Sequence, residues 1–186
     1  HSYLQKNNIP FESMYAASFN NKAFSLIKSR ADISTKILGA ERGEAPDMKG
    51  SGKRNAHLLA VAPNASSSII CGGTSPSIEP NRANVYTHKT LTGSFKVRNK
   101  CLDDIAANEG SVQHLDILSD EQKEIFKTAP EINQIWIIEH AAMRQNYICQ
   151  SQSVNLFFKP PPIQASQDIH NDFLQYLNDV HWAGVH

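Results

Sequence analysis

The run Leu58-Leu59-Ala60-Val61-Ala62, cut off by Pro63, limits the possible folds more than any other stretch of the chain. Five apolar residues in a row leave no polar face for water, so a strand built from them must be covered on both sides. That is a central strand of an α/β sheet or barrel, with parallel neighbours. Pro63 has no N–H to give to a ladder and ends the run. A loop of small residues and hydroxyls follows, Asn64-Ala65-Ser66-Ser67-Ser68. In α/β sheets and barrels, ligands gather at the carboxyl ends of the strands. Small side chains let backbone N–H groups approach an anion, serines add O–H donors, and Asn64 can add an amide donor. The stretch from Pro63 to Ser68 thus reads as a phosphate cradle that needs no lysine. The same residues fit a second reading equally well, a Ser-rich turn that satisfies its own backbone locally.

The elements around this run alternate in type. Residues His1 to Asn7 read as the tail of a helix ended by Pro10. A helix follows across Asn20 to Leu38, with Ala23, Leu26, Ile27, Ala31 and Leu38 near one face and Gly39 available as a left-handed cap. Glu41 to Lys53 is polar and glycine-rich and reads as an exposed loop. After the apolar run, Ser68-Ile69-Ile70-Cys71 is a second short apolar piece, broken by Gly72-Gly73. Ser119 and Gln122 form a capping box ahead of Ile125 and Phe126. Pro130 suits a first helical turn, and Ile132, Ile135, Trp136 and Met143 continue on helical spacing. Tyr147 to Phe158 alternates with strand periodicity up to the prolines at 160–162. Ser166 caps a last helix with Ile169, Phe173, Leu177 and Val180 on one face. Helix, strand, loop, helices, strand, helix is an α/β order, and its few strands make it part of a larger sheet or barrel.

The 186 residues carry 18 basic and 18 acidic side chains, so the balance predicts neither a nucleic-acid groove nor an anionic membrane surface as partner. No stretch is long and apolar enough to span a bilayer, and no signal peptide is visible. Cys71, Cys101 and Cys149 stand far apart, which predicts buried structural thiols in a reduced, cytoplasmic chain. The chain opens on His1 and stops at Val185-His186 after an amphipathic stretch, which reads as a piece of a longer protein.

Other candidate chemistry is thin. Gly72 to Pro80 is a second loop of small residues, in which Glu79 reads as a pin for backbone N–H groups before it reads as a base. His170, His181 and His186 lie near the C-terminus without metal-ligand spacing, and His88, His114 and His140 stand alone. There is no nucleophile elbow, no dinucleotide fingerprint and no Walker lysine. Tyr147 and the run Gln150 to Asn155 either line a site or, by preference, build hydrogen bonds inside a barrel.

Several stretches together resemble one family, the large (α) subunit of class I ribonucleotide reductase. They are Ile9-Pro10-Phe11-Glu12-Ser13, Lys53-Arg54-Asn55, the long run Leu59 to Pro80, Tyr86-Thr87-His88-Lys89, Asn108 to Asp116, and Tyr147 to Phe157. Each is weak alone; their order along nearly the whole chain makes the resemblance specific, in a bacterial or phage flavour. It implies a partial ten-stranded α/β barrel, with residues 1–186 as the C-terminal portion of the barrel domain and no effector domain. It implies reduction of ribonucleoside diphosphates to deoxyribonucleotides by radical chemistry. Pro63, Asn64, Ala65, Ser66 and Ser67 match the loop that holds the substrate diphosphate, with Asn64 where the family varies. The implied partners are a ribonucleoside diphosphate, the N-terminal remainder of the α subunit, a radical-generating small (β) subunit, and thioredoxin or glutaredoxin as reductant. No cofactor is expected in this chain, because the radical comes from the separate, metal-containing small subunit.

The departures from the family are equally informative. None of the three cysteines matches the radical-forming cysteine or the reducing pair. The tyrosine pair that passes the radical inward and the C-terminal redox cysteines are not in the sequence. The segment between Asn99 and Asn108 is shorter than the family's. The chain alone is therefore expected to be inactive. A non-catalytic truncated remnant is the alternative, and another phosphate-binding barrel enzyme is a third reading.

Overall fold

Ser13 starts the longest element. Its hydroxyl accepts the Ala16 N–H at 3.1 Å, and its own backbone is extended, so the helix begins one residue later. In the computed structural model, which describes residues 1–64, 66–76, 78–91, 93–102 and 110–158, this helix is α2, Met14–Arg42. At 1.5 Å per residue it is about 43 Å long. It begins six residues before the sequence expectation and ends four later. Gly39 is not its cap but a buried residue of its interior, and the left-handed position falls to Gly43, at φ 81°.

Gly39 has a reason to be glycine. The loop after α2 folds back against the helix, so that a Cβ at Gly39 would collide with the Gly52 carbonyl. Arg54 N–H donates to Thr35 O at 3.0 Å, and Asn55 N–H donates to the Thr35 hydroxyl at 2.9 Å. The loop holds its own shape through Glu44, whose carboxylate accepts the Gly50 N–H at 2.6 Å and the Gly52 N–H. The exposed loop expected from the sequence is thus a folded flap pinned to the helix.

The other elements are short. α1 is Ser2–Lys6, α3 is Ser67–Ile70, α4 is Asp120–Ile125 and α5 is Gln134–Gln145. The predicted capping box is present at α4, with Ser119 N–H to Gln122 Oε1 at 3.0 Å and Gln122 N–H to Ser119 Oγ at 3.3 Å. Asn133 caps α5, so Ile132 lies ahead of that helix and Pro130 sits in a separate 3-10 turn, Ala129–Glu131. α5 packs on α2, where Asn20 Nδ2 donates to the His140 carbonyl at 3.0 Å.

The strands differ most from expectation. Val61 and Gln152 form one parallel bridge, so the two predicted strands do meet with the predicted polarity. They extend no further as a ladder, and Leu58 to Ala62 is half-buried to exposed rather than covered on both sides. Its backbone hydrogen bonds among the described residues run to 150–153 alone, on one side. A hairpin that the sequence reading omits, β1 Val85–Thr90 and β2 Gly93–Arg98, is antiparallel, with Val85 opposite Arg98 and His88 opposite Phe95. The predicted helix after Ser166 lies outside the described residues.

Among the described residues, two apolar clusters form the core. Leu4, Phe11, Ala16, Ile132 and Ile137 make one, joined by Val154, Leu156 and Phe157; Leu102, Val112, Ile125 and Phe126 make the other. Buried amides bind them together. Asn99 Nδ2 reaches Gln5 Oε1 at 3.0 Å and Asn84 Oδ1 at 2.9 Å, while Asn84 Nδ2 donates to Phe126 O at 3.0 Å. The base of the hairpin is thereby locked to α1 and to the end of α4.

The packing at Gly39 makes a prediction whose sign rests on magnitudes. Alanine is better than glycine inside a helix by about 1 kcal/mol. Overpacking against a backbone carbonyl costs about 1–3 kcal/mol, and moving the flap also strains the Arg54–Thr35 bond. Gly39→Ala is therefore expected to lower the melting temperature followed by circular dichroism. Ser29→Ala, at an exposed position of the same helix, is expected to leave it level or raise it.

Candidate functional site

The Ser66 loop is built by a strand end that becomes a short helix. After the Val61 bridge the chain turns at Pro63 and enters α3, with Ser66 at its N-cap. Ser66 has α-region backbone angles, so its side chain makes no capping bond. Ser68 N–H donates to Asn64 O at 3.1 Å, which closes the turn. The first amides of a helix have no intrahelical partner. Here the Ser66 and Ser67 amides and the Ser66 hydroxyl have no partner among the described residues, and both serines are exposed.

Some of the expected donors are used locally. Ser67 Oγ donates to Asn64 O at 3.3 Å, and Asn64 Nδ2 donates to Ala62 O at 3.1 Å. The loop is therefore neither fully self-satisfied nor fully open. It keeps two amides and one hydroxyl for a ligand, and a second N–H on Asn64. Ala65 lies outside the described residues.

The loop opens onto a pocket of about 400 Å³ lined by Asn64, Ser67, Ser68, Cys71, Thr74 and Ser75 among others. The second small-residue loop thus shares a cavity with the first, and Thr74 and Ser75 join the site. Their signal in the sequence was only the run of small residues after Gly72-Gly73. No charged side chain lines this pocket among the described residues, so its affinity for an anion rests on amides and hydroxyls.

Both feet of the loop stand on one segment. At the first foot, Val61 N–H donates to Ser151 O at 3.2 Å, Ser153 N–H to Val61 O at 2.8 Å, and Gln150 N–H to Leu59 O at 3.1 Å. At the second, the carboxylate of Glu79, 5% exposed, accepts the Asn155 backbone N–H, and Asn155 Nδ2 donates to its two oxygens at 3.2 and 3.0 Å. Glu79 is a pin, not a base. The run from Gln150 to Asn155 builds hydrogen bonds: Gln152 Nε2 donates to Ala141 O at 2.7 Å and its Oε1 accepts from Arg144 at 3.3 Å. The second small-residue loop is also tied to α1, with Ser75 N–H on Ser2 Oγ at 2.7 Å.

The cysteines are free thiols, but two of the three, Cys71 and Cys149, are exposed rather than buried. Cys149 Sγ accepts the N–H groups of Leu58 and Leu59 at 3.0 and 3.2 Å. Burial, the largest single influence, pushes this thiol up, but the Leu59 and Leu58 amides, its own backbone and the Lys28 charge together hold it below the usual thiol range. Burial is the main influence on Cys101 and pushes it up. No group of three or more His, Cys, Asp or Glu side chains among the described residues has metal-site geometry, and no described helix is long and apolar enough to cross a membrane.

Comparison with known proteins decides the family. The profile described as "Ribonucleotide reductase, barrel domain" matches residues 45–177. The chain belongs to this family. The ribonucleoside-diphosphate reductase large subunit of Invertebrate iridescent virus 6 is 46% identical over 98% of the chain, and the putative large subunit of Frog virus 3 is 45% identical over 96%. Among solved structures, the class Id ribonucleotide reductase alpha subunit of Actinobacillus ureae superposes with a TM-score of 0.79 at 36% identity, covering 96% of the chain. The chain's elements are thus part of a ribonucleotide reductase-type α/β barrel, the fold class expected. It spans 20% and 32% of those viral relatives and 35% of the solved chain. The first alignment runs over 201 residues, more than the chain's 186, so that relative carries extra residues within the matched region. These viral relatives belong to an invertebrate iridescent virus and a frog virus, so the comparisons support the family expected and not its bacterial or phage flavour in particular.

The thiol environments predict an order of reactivity. At neutral pH, iodoacetamide is expected to label Cys149 well before Cys101 in the folded chain, as read by mass spectrometry of peptides from a time course. Equal rates for the two would show that the Leu58 and Leu59 amides do not stabilise a thiolate at Cys149.

Proposed function

We propose that residues 1–186 are the C-terminal portion of the barrel of a ribonucleoside-diphosphate reductase large subunit, and that Pro63, Asn64, Ala65, Ser66 and Ser67 hold the substrate's diphosphate. The observation that carries the reading is the pair of amides at Ser66 and Ser67 left without a partner among the described residues, beside a pocket that Ser67 lines with no charged side chain among the described residues, in a chain of the reductase barrel family. Such a site suits a terminal phosphate group. The amide dipoles and the Ser66 hydroxyl supply charge-assisted hydrogen bonds without placing a lysine near the reacting sugar.

The ribose chemistry belongs to residues that this chain does not supply. None of its thiols matches the family's radical-forming cysteine: Cys149 braces the first foot of the loop, Cys101 lies under α1 with its Sγ 3.7 Å from Ser2 O, and Cys71 lines the pocket. The working enzyme therefore needs the N-terminal remainder of the large subunit and a small subunit whose metal centre generates the radical. Thioredoxin or glutaredoxin returns the reducing equivalents, and no cofactor resides in this chain. The compartment is the cytoplasm, where reduced thiols persist.

The test is reconstitution. The chain is combined with the N-terminal portion of an iridovirus large subunit, the radical-generating small subunit and a dithiol reductant, and deoxynucleoside diphosphate formation is measured. Turnover is expected only with all components present. Ser66→Ala with Ser67→Ala is expected to raise KM for the diphosphate roughly 10-fold or more, since loss of the Ser66 hydroxyl's bond to a charged group is worth about 1.5–3 kcal/mol and the Ser67 change also loosens the turn held by Asn64. An unchanged KM in that variant would remove the loop from the phosphate site, and absence of turnover in every combination would count against a working enzyme part.

A further inference from the structure

The hairpin is basic in a chain that is neutral. Residues 81–102 hold Arg82, Lys89, Lys96, Arg98 and Lys100 and no aspartate or glutamate. Neighbours along a strand point to opposite faces, so the register sorts these side chains. Val85, Thr87 and Lys89 share one face with their partners Arg98, Lys96 and Ser94. Tyr86 and His88 share the other with Val97 and Phe95. One face of the ribbon is thus basic and the other largely apolar. Lys89 and Arg98 are exposed on the first, and Tyr86 and Phe95 on the second.

The outer edge of β1 is open as well. Asn99 N–H donates to Asn84 O at 2.7 Å. Hydrogen-bonded pairs alternate along an antiparallel ladder, so the next ones are Tyr86 with Val97 and His88 with Phe95. Val85, Thr87 and Lys89 therefore turn their N–H and C=O groups outward. Among the described residues nothing bonds to those groups. Such an edge is a template for a further strand.

The charges select the occupant. A second copy of β1 along this edge would bring Lys89 and Arg98 of both copies onto one basic face, and like charges oppose strand pairing. An acidic strand meets the opposite condition. Neither Lys89 nor Arg98 has a carboxylate within ion-pair distance among the described residues. A nucleic acid would use the cations but leave the backbone edge and the apolar face unanswered. A peptide strand uses all three: its main chain bonds to the edge, and its side chains alternate between the two faces.

We propose that the outer edge of β1 docks an extended peptide segment of a partner protein in which acidic and apolar residues alternate. The segment adds as a third strand. Its acidic side chains lie on the face of Lys89 and Arg98, and its apolar ones lie on the face of Tyr86 and Phe95. The site is separate from the Ser66 pocket and makes no use of the phosphate donors.

The isotopically labelled chain is titrated with a short blocked peptide that alternates glutamate and valine, with its lysine and valine counterpart, and with oligothymidylate. The acidic peptide is expected to shift the Val85, Thr87 and Lys89 amide resonances saturably and to slow their hydrogen exchange. The same shifts are expected when the N-terminal portion of a large subunit is present. Lys89→Glu turns an attraction into a repulsion and is expected to weaken binding about fivefold. Thr87→Pro removes one outward N–H from an edge strand, where proline is tolerated, and is expected to abolish binding. Should that variant disturb the β2 amide resonances, Lys89→Glu carries the test. Equal binding of the lysine peptide, amide shifts without slowed exchange, or binding of oligothymidylate in place of the acidic peptide would each overturn the proposal. So would unchanged affinity in Lys89→Glu, or loss of the site when the N-terminal portion is added.

Discussion

The hydrogen bonds of segment 150–155 are the constraint on which the candidate site depends. Residues 62–78 are rich in serine, glycine and proline, and apart from α3 and the Ser75–Ser2 bonds this segment is what fixes their shape. The segment grips them twice, by the backbone bridge at Val61 and by the Glu79 carboxylate on Asn155. Because Glu79 is buried, its hydrogen bonds compete little with water. Leaving that carboxylate unsatisfied would cost more than the bond itself contributes. The grip thus turns a flexible stretch into two small-residue turns facing one pocket, with the Ser66 and Ser67 amides left over.

The same logic runs through the interior. The apolar core is divided, and what joins its halves is amide chemistry: Gln5, Asn84 and Asn99 are 2%, 1% and 9% exposed and satisfy one another. Asn20 does the same between α2 and α5. Networks of this kind fix position well when every member is satisfied. Among the described residues the departures are the buried Nε2 atoms of His1 and His140, which lack a hydrogen-bond partner.

Legibility in the sequence followed the physics of each element. The capping box of Ser119 and Gln122 and the small-residue loop were readable because their signals are local. The start of α2 was missed because Met14 and Tyr15 lie largely exposed, so the apolar period that marks a helix face does not begin until later. Gly39 looked like a cap because glycine usually ends helices, whereas here it admits the Gly52 carbonyl. The hairpin escaped because its strands carry as many threonines and lysines as apolar residues, and because Asn84 and Asn99, which anchor it, have no periodicity to read. The family was legible from short motifs in collinear order. The pairing of Glu79 with Asn155, 76 residues apart, was not.

The claim that one segment shapes the loop is tested most directly by a variant that touches no phosphate donor. Glu79→Gln keeps the size of the pin and removes its charge, weakening its hold on Asn155. Pyrophosphate titration of the isotopically labelled chain, followed through the Ser66 and Ser67 amide resonances, would compare the variant with the parent. The account predicts saturable shifts of those two amides in the parent, and an affinity lower by about tenfold in the variant, as expected for a lost charge-assisted bond. Equal affinity in the two chains, with the amide shifts unchanged, would contradict it.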